Sequence, residues 1–238
     1  MSSFRKSLIT ILIVVAAFSS RAQSTNSNEI EFDHISIPGT MSSAMVEDMV
    51  QDPLGMLWMG KLMLHRYDGK RFKSFNTIYP DSVIFNGKEI TKLVWDKKGN
   101  RLLIGTRNLG LLQFRYEDNY VIRLPSQSGI PIISDIAQTE DGRIWISSFA
   151  NGLFTLENDT LKQKSNVEGI LQPLAITTYK DDLWVGGYRS LFLLRHGRIQ
   201  KSISLQSLMP QWEEGVQISS LFYDRGFLWI GTERSGVI

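Results

Sequence analysis

A short apolar signature returns along the chain at nearly even intervals: Leu57-Trp58-Met59-Gly60, Leu102-Leu103-Ile104-Gly105-Thr106, Ile144-Trp145-Ile146-Ser147, Leu183-Trp184-Val185-Gly186 and Leu228-Trp229-Ile230-Gly231-Thr232. Its second residues, at 58, 103, 145, 184 and 229, are 45, 42, 39 and 45 positions apart. That period is the length of a four-stranded antiparallel propeller blade. The expected fold is therefore all-β: a β-propeller of four complete blades and part of a fifth, at about 45–75, 89–124, 132–165, 173–204 and 217–238. The blades carry the stability, because each sheet must bury its faces against its neighbours.

Four strands can be drawn in a full repeat. In the second they fall at 89–95, 101–106, 111–116 and 120–124; in the third at 132–138, 143–147, 153–156 and 161–164. The turn joining the first two strands is rich in Asp and Gly: Asp52-Pro53-Leu54-Gly55, Asp96-Lys97-Lys98-Gly99, Glu140-Asp141-Gly142, Asp181-Asp182 and Asp224-Arg225-Gly226. Aspartate bonds its own backbone two residues on, and glycine supplies the positive φ of a tight hairpin. One carboxylate per hairpin marks these residues as turn formers, not calcium ligands or catalytic acids.

Residues two apart on a strand share a face, so each anchor (Trp58, Leu103, Trp145, Trp184, Trp229) lies on the side of the following Gly or Ser. The flanking aliphatics point the other way. Both faces of the second strand are thus buried between blades, the glycine admits the neighbouring sheet, and the anchor fills the wedge that opens outward. These five residues are read as structural.

At the N-terminus, Arg5 and Lys6 precede an apolar run over residues 8–18, followed by Ser20-Arg21-Ala22. This is the pattern of a secretory signal, and an apolar run eleven residues long is too short to cross roughly 30 Å of hydrocarbon. Residues 1–22 read as a signal peptide and 23–29 as a polar linker, which makes the expected location exported and periplasmic. There is no cysteine, so the fold cannot lean on disulfides. With 26 basic and 24 acidic side chains the protein also lacks the footprint of a nucleic-acid binder.

Hairpins within each blade are minimal, whereas the connections on the opposite rim are longer. Residues 76–88 include Tyr79, Pro80 and Phe85, and residues 205–216 include Pro210, Trp212, Glu213 and Glu214. Long loops on a rigid scaffold carry recognition. The loops after the second strands bear Lys61, Arg107-Asn108, Asn151, Tyr188-Arg189 and Glu233-Arg234. Cations ringed by aromatics suit an acidic or sulfated saccharide. The candidate ligand-binding residues are Lys61, Arg107, Asn108, Tyr188, Arg189, Trp212 and Arg234; solvated loop charges are the plain alternative.

Catalytic motifs are missing from the sequence. The three histidines, His34, His65 and His196, have no metal-ligand spacing, and no phosphate loop or serine elbow occurs. No catalytic residue, metal or cofactor is expected. Asp52 through Trp58 imitates the Asp-box of sialidases, but the arginine cluster of those enzymes cannot be identified.

The Trp-Ile-Gly-Thr signature preceded by Asp-x-x-Gly resembles the two-component regulator propeller repeat. Phe32 to Ser36, Val50 to Trp58 and Arg66-Tyr67-Asp68-Gly69 resemble that family's first blade. Departures are Gly60-Lys61-Leu62-Met63-Leu64, one residue short, and Leu103 in place of tryptophan. The resemblance implies the periplasmic, ligand-sensing N-terminal region of a histidine kinase, glycan-responsive and not itself an enzyme. It further implies dimerisation through the propeller, with more propeller blades, an immunoglobulin-like domain and a kinase in a complete parent. An exported scaffold without a small ligand, or a propeller lyase or glycoside hydrolase, are the competing readings. The last blade breaks off inside its third strand, which favours an open arc over a five-bladed ring closed by a strand at 30–37.

Overall fold

The computed structural model describes residues 46–60, 62–79, 83–84, 90–165, 167, 169–210 and 216–238. All of these belong to one compact unit, Pro38–Ile238. The signal peptide, the polar linker and the closing strand at 30–37 lie outside the described residues.

The first blade is an antiparallel meander of β1 (Asp48–Gln51), β2 (Leu57–Gly60), β3 (Leu64–Tyr67) and β4 (Phe72–Phe75). Next in the chain come β5 (Thr77–Tyr79) and β6 (Val83–Ile84), then the second blade, β7 (Ile90–Asp96), β8 (Arg101–Thr106), β9 (Leu111–Arg115) and β10 (Tyr120–Arg123). The third is β11 (Asp135–Gln138), β12 (Ile144–Ser148), β13 (Gly152–Glu157) and β14 (Thr160–Gln163). The fourth is β15 (Ala175–Tyr179), β16 (Asp182–Gly186), β17 (Ser190–Arg195) and β18 (Arg198–Ser204), which runs into the one-turn helix α1 (Leu205–Leu208). The fifth pairs β19 (Ile218–Asp224) with β20 (Phe227–Thr232), and Val237 bridges back to Gly231 as the start of another strand. First strands touch in succession: β1 meets β7, β7 meets β11, β11 meets β15 and β15 meets β19.

The second sheet departs from the four-stranded expectation. Its order is β6-β5-β10-β9-β8-β7, so part of the stretch read as a loop at 76–88 adds two strands to the outer edge. β5 runs parallel to β10, with Ile78 opposite Val121 and Tyr79 opposite Ile122. The outer edge of a blade carries unpaired backbone groups that another strand can satisfy. Ile78 supplies the apolar anchor, fully buried in the core shared with the first blade.

Alternation along each second strand distributes its side chains between two cores. On β8, Leu102 and Ile104 join the core with the first blade, whereas Leu103 faces the third. On β12, Ile144 and Ile146 face back and Trp145 faces forward. Leu183 and Val185 on β16 likewise face back, and Trp184 faces forward. The signature glycines sit where the next blade approaches. A Cβ at Gly60, Gly105 or Gly186 would stand 2.6, 2.6 and 2.4 Å from a Cγ2 of Ile90, Ile133 and Ile218, respectively. In the third blade a fully buried Ser147 takes this place.

The five anchors do not share one environment. Trp58, Leu103 and Trp145 are 0, 0 and 2% exposed and Trp184 is half-buried, but Trp229 is 51% exposed, together with Phe222 opposite it on β19. The expectation of a buried fifth anchor is corrected. Among the described residues no following sheet covers the face on which Trp229 stands.

Hairpin aspartates form the turns and also fasten neighbouring blades. Asp52 Oδ1 accepts the Leu54 and Met56 backbone N–H groups at 2.9 Å each. Its Oδ2 accepts the Trp58 indole N–H at 2.8 Å and the hydroxyl of Tyr116, a second-blade residue. Asp96 accepts from Gly99 N at 2.9 Å, from Arg101 Nε at 3.0 Å and from Gln138 Nε2 of the third blade at 2.7 Å. The positive φ of that hairpin falls on Asn100, not on the expected Gly99. Nearer the centre, Lys92 Nζ lies 3.3 Å from Asp135 and 3.8 Å from Asp48, so an amine on β7 joins carboxylates on the first strands of the blades to either side, β11 and β1. Burial of Lys92 opposes its charge, but Asp135 and Asp48 outweigh it and hold the amine protonated.

Candidate functional site

The recognition loops are built by the last residue of the repeated signature. Thr106 accepts the Leu109 N–H at 2.9 Å and donates to Gly110 O at 2.8 Å; Thr232 accepts the Ser235 N–H at 3.0 Å and donates to Gly236 O at 2.9 Å. Each threonine thereby closes a five-residue turn that presents two side chains to solvent, Arg107-Asn108 in one case and Glu233-Arg234 in the other. In the third blade Ser148 Oγ meets Asn151 Oδ1 at 3.2 Å instead. Sequence reading gave this threonine no role, although its fixed place after the glycine was the available signal.

The fourth blade solves the same problem differently. Gly187 lies against the incoming linker: a Cβ there would be 2.6 Å from Leu171 O, so only glycine fits. Arg189 takes a positive φ of 61°, and its guanidinium carbon lies 5.0 Å from the centre of the Tyr188 ring. Both side chains are exposed. An arginine held over a tyrosine presents a flat cation with an apolar backing.

Gln217 draws the fourth and fifth blades together beside this pair. Its backbone bridges Tyr188 and accepts the Glu233 N–H at 3.2 Å, and its own Nε2 is buried with no hydrogen-bond partner. The structure therefore gathers Tyr188, Arg189, Gln217 and the Glu233-Arg234 turn at one junction. Arg107 and Asn108 project from the second blade and belong to a different part of the rim. Gln217 was not foreseen, because nothing local distinguishes it from other loop amides.

Lys61 and Trp212 fall outside the described residues. Tyr79 is corrected from a rim loop to β5, where its ring lies 4.7 Å from that of Tyr120. His65 is buried with Nδ1 2.9 Å from Ser74 Oγ, and burial holds its pKa below the usual imidazole value. His196 takes a positive φ of 49° in the β17–β18 hairpin, on the rim away from the Tyr188 loop. Among the described residues there is no group of three or more His, Cys, Asp or Glu placed to hold a metal ion.

With the geometry in hand, the class is plain: the protein is a β-propeller of four-stranded antiparallel blades. Solved propellers resemble it at low identity. A streptogramin B lyase superposes with a TM-score of 0.68 and 11% identity, over 84% of this chain and 65% of that one. Virginiamycin B lyase from Staphylococcus aureus gives 0.64 and 14%, over 79% and 63%. The extracellular domain of a putative hybrid two-component system from B. thetaiotaomicron gives 0.48 and 18%, over 82% and 31%. The chain thus spans about two thirds of the length of the lyases. At these identities the likeness establishes the fold and leaves the ligand and reaction open. No family model and no curated protein sequence matches the chain.

Proposed function

We propose that this propeller is the ligand-recognition portion of an exported sensor, binding an acidic saccharide at the junction of its fourth and fifth blades. The observation that carries the reading is the Tyr188–Arg189 stack beside the unpartnered Gln217 amide. An aromatic face, a planar cation and a spare donor match a sugar ring, its carboxylate or sulfate, and a hydroxyl. The repeat's resemblance to two-component regulator propellers supports coupling to a histidine kinase, with export, a periplasmic location and a propeller-mediated dimer as parts of the same proposal. No helix among the described residues is long and apolar enough to cross a membrane.

Calorimetric titration with a panel of uronate and sulfated oligosaccharides tests the reading, with product analysis of the same mixtures. Binding without turnover that Tyr188→Ala and Arg189→Ala each weaken by about tenfold is expected, the loss of one charge-assisted or stacking contact. Equal binding by wild type and both variants removes the site. Turnover would move the protein to the lyase class of its solved neighbours, a reading with less support. Histidine is the commonest general acid or base, yet His65 is buried and His196 lies on the opposite rim. A scaffold reading draws on exposed Phe222, Phe227 and Trp229, which offer a sheet face to a protein partner.

A further inference from the structure

Two blades already carry an added segment along their outer strand. β5, leaving the first blade, lies parallel to β10 of the second. Leaving the second blade, Ser126 bridges Leu161 of β14 in the same parallel sense, with the Leu161 N–H donating to Pro125 O at 2.8 Å and the Gln127 N–H to Leu161 O at 3.1 Å. In both cases the connection runs along the outer strand of the next blade before entering it. The third connection behaves differently. Val167 and Ile170 are buried in the core between the third and fourth blades, which draws the chain inward. Among the described residues, β17 is the one strand that pairs with β18.

β18 is seven residues long, and such an edge presents backbone N–H and C=O groups that another strand can satisfy. Its side chains give that edge a charge. Arg198 stands opposite Arg195, Lys201 opposite Leu193 and Ile203 opposite Leu191, so alternation puts Arg195, Arg198, Lys201 and Ile203 on one face of the sheet. Asp182 holds Arg195 at 2.7 Å, whereas Arg198 and Lys201 are exposed and, among the described residues, in no ion pair with a carboxylate. From Leu183 to Trp212 the sequence contains Arg189, Arg195, Arg198 and Lys201 and no Asp or Glu. Cations on an open edge deter pairing between copies of one chain, because like charges would meet across the new ladder. The same cations attract an acidic strand.

We propose that the outer edge of the fourth blade binds an extended acidic segment of another protein as an added parallel strand, in the place that β5 takes on β10. Main-chain bonds to β18 supply affinity, and carboxylates on the face of Arg198 and Lys201 supply selectivity. This surface does not depend on the saccharide reading.

The test is fluorescence anisotropy of the whole chain at low salt with a labelled peptide, Thr-Glu-Val-Glu-Val-Glu-Thr, against a counterpart with Lys for each Glu. The acidic peptide is expected to bind at least about tenfold more tightly, and added salt should erode the difference. Two further acidic peptides carry backbone N-methyl groups, one on the Glu residues and the other on the Thr and Val residues. Alternate N–H groups of a strand point to opposite sides, so in a strand of fixed direction one pattern should abolish binding and the other should leave it. Hydrogen exchange should show new protection on β18 when the acidic peptide is bound. The double variant Arg198→Glu, Lys201→Glu should lose the preference for the acidic peptide. Its unfolding midpoint confirms the fold; if it is not folded, Lys201→Gln replaces it and should narrow the preference. Failure of the acidic peptide to bind, equal binding of the Lys peptide, the same effect from both N-methyl patterns, protection confined to other strands or an unchanged preference in the folded variant would overturn the proposal. So would a wild-type dimer in sedimentation whose β18 amides are protected without peptide, since that gives the edge to a second copy.

Discussion

Replacing Asp52 by alanine should destabilise the protein far more than a hairpin substitution normally does. The carboxylate is 4% exposed and accepts four hydrogen bonds, two from its own turn, one from the fully buried Trp58 indole and one from Tyr116 across the blade boundary. Alanine leaves the indole N–H without an acceptor at a cost of about 1–3 kcal/mol, and each lost bond to a charged acceptor adds about 1.5–3 kcal/mol. The turn amides and the Tyr116 hydroxyl are only partly buried and recover some of this from water, so the sum is roughly 3–5 kcal/mol. For a chain of this size that lowers the thermal midpoint by about 6–20 °C. Asp52→Asn separates the contributions. Tyr116 can turn its hydroxyl to accept from the new amide, but the indole can only donate, so about half of the loss should remain. Urea and thermal unfolding followed by tryptophan fluorescence measure both variants. Asp224→Ala, at an exposed hairpin position, is the reference and should stay within about 0.5 kcal/mol of wild type. If Asp52→Ala melts with Asp224→Ala, the carboxylate is an ordinary turn former and the fastening between blades has been misread.

Three other perturbations follow from the same packing. Gly186→Ala drives a methyl to 2.4 Å from Ile218 and should cost about 1–3 kcal/mol, much of it recovered in the double variant with Ile218→Ala; strictly additive losses would show the two do not press on each other. Trp58→Ala should cost about 3–5 kcal/mol and Trp229→Ala less than half as much, because only the first indole is enclosed; denaturation giving equal losses would contradict the exposure at the fifth blade. The Glu157 carboxyl is lowered to about 2 by its bond from Lys164, then by Thr155 and Lys162. A depressed acid stabilises the fold above its ordinary value near 4.5 and loses that contribution as pH falls toward 2, so the midpoint gap between wild type and Glu157→Gln should close across that interval. A gap that does not vary with pH would disprove the coupling.

Much of the architecture was legible because it is periodic. A forty-residue spacing and a two-residue alternation are local patterns, and they identified the blades, the two-faced second strands and the glycines that admit the next sheet. Leu103 could be placed as an anchor on spacing alone, and its burial agrees. The exposure of Trp229 was not legible, since its sequence surroundings match those of Trp58 and only the neighbouring sheet differs.

Tertiary structure decided everything that depends on which distant groups meet. Asp52 and Tyr116 are 64 residues apart, and nothing near either predicts that one carboxylate serves a turn, an indole and the next blade at once. The parallel pairing of β5 with β10 turned part of an apparent loop into an outer strand of the second blade. At the rim, Gln217 draws Tyr188 and the Glu233 turn together while Arg107 stays two blades from the Tyr188 loop. Chain order determines what repeats, because strand propensity, alternation and turn chemistry act over a few residues. Which polar groups find partners, and which are left for a ligand, is set by how successive sheets stack, and that is a property of the packed chain.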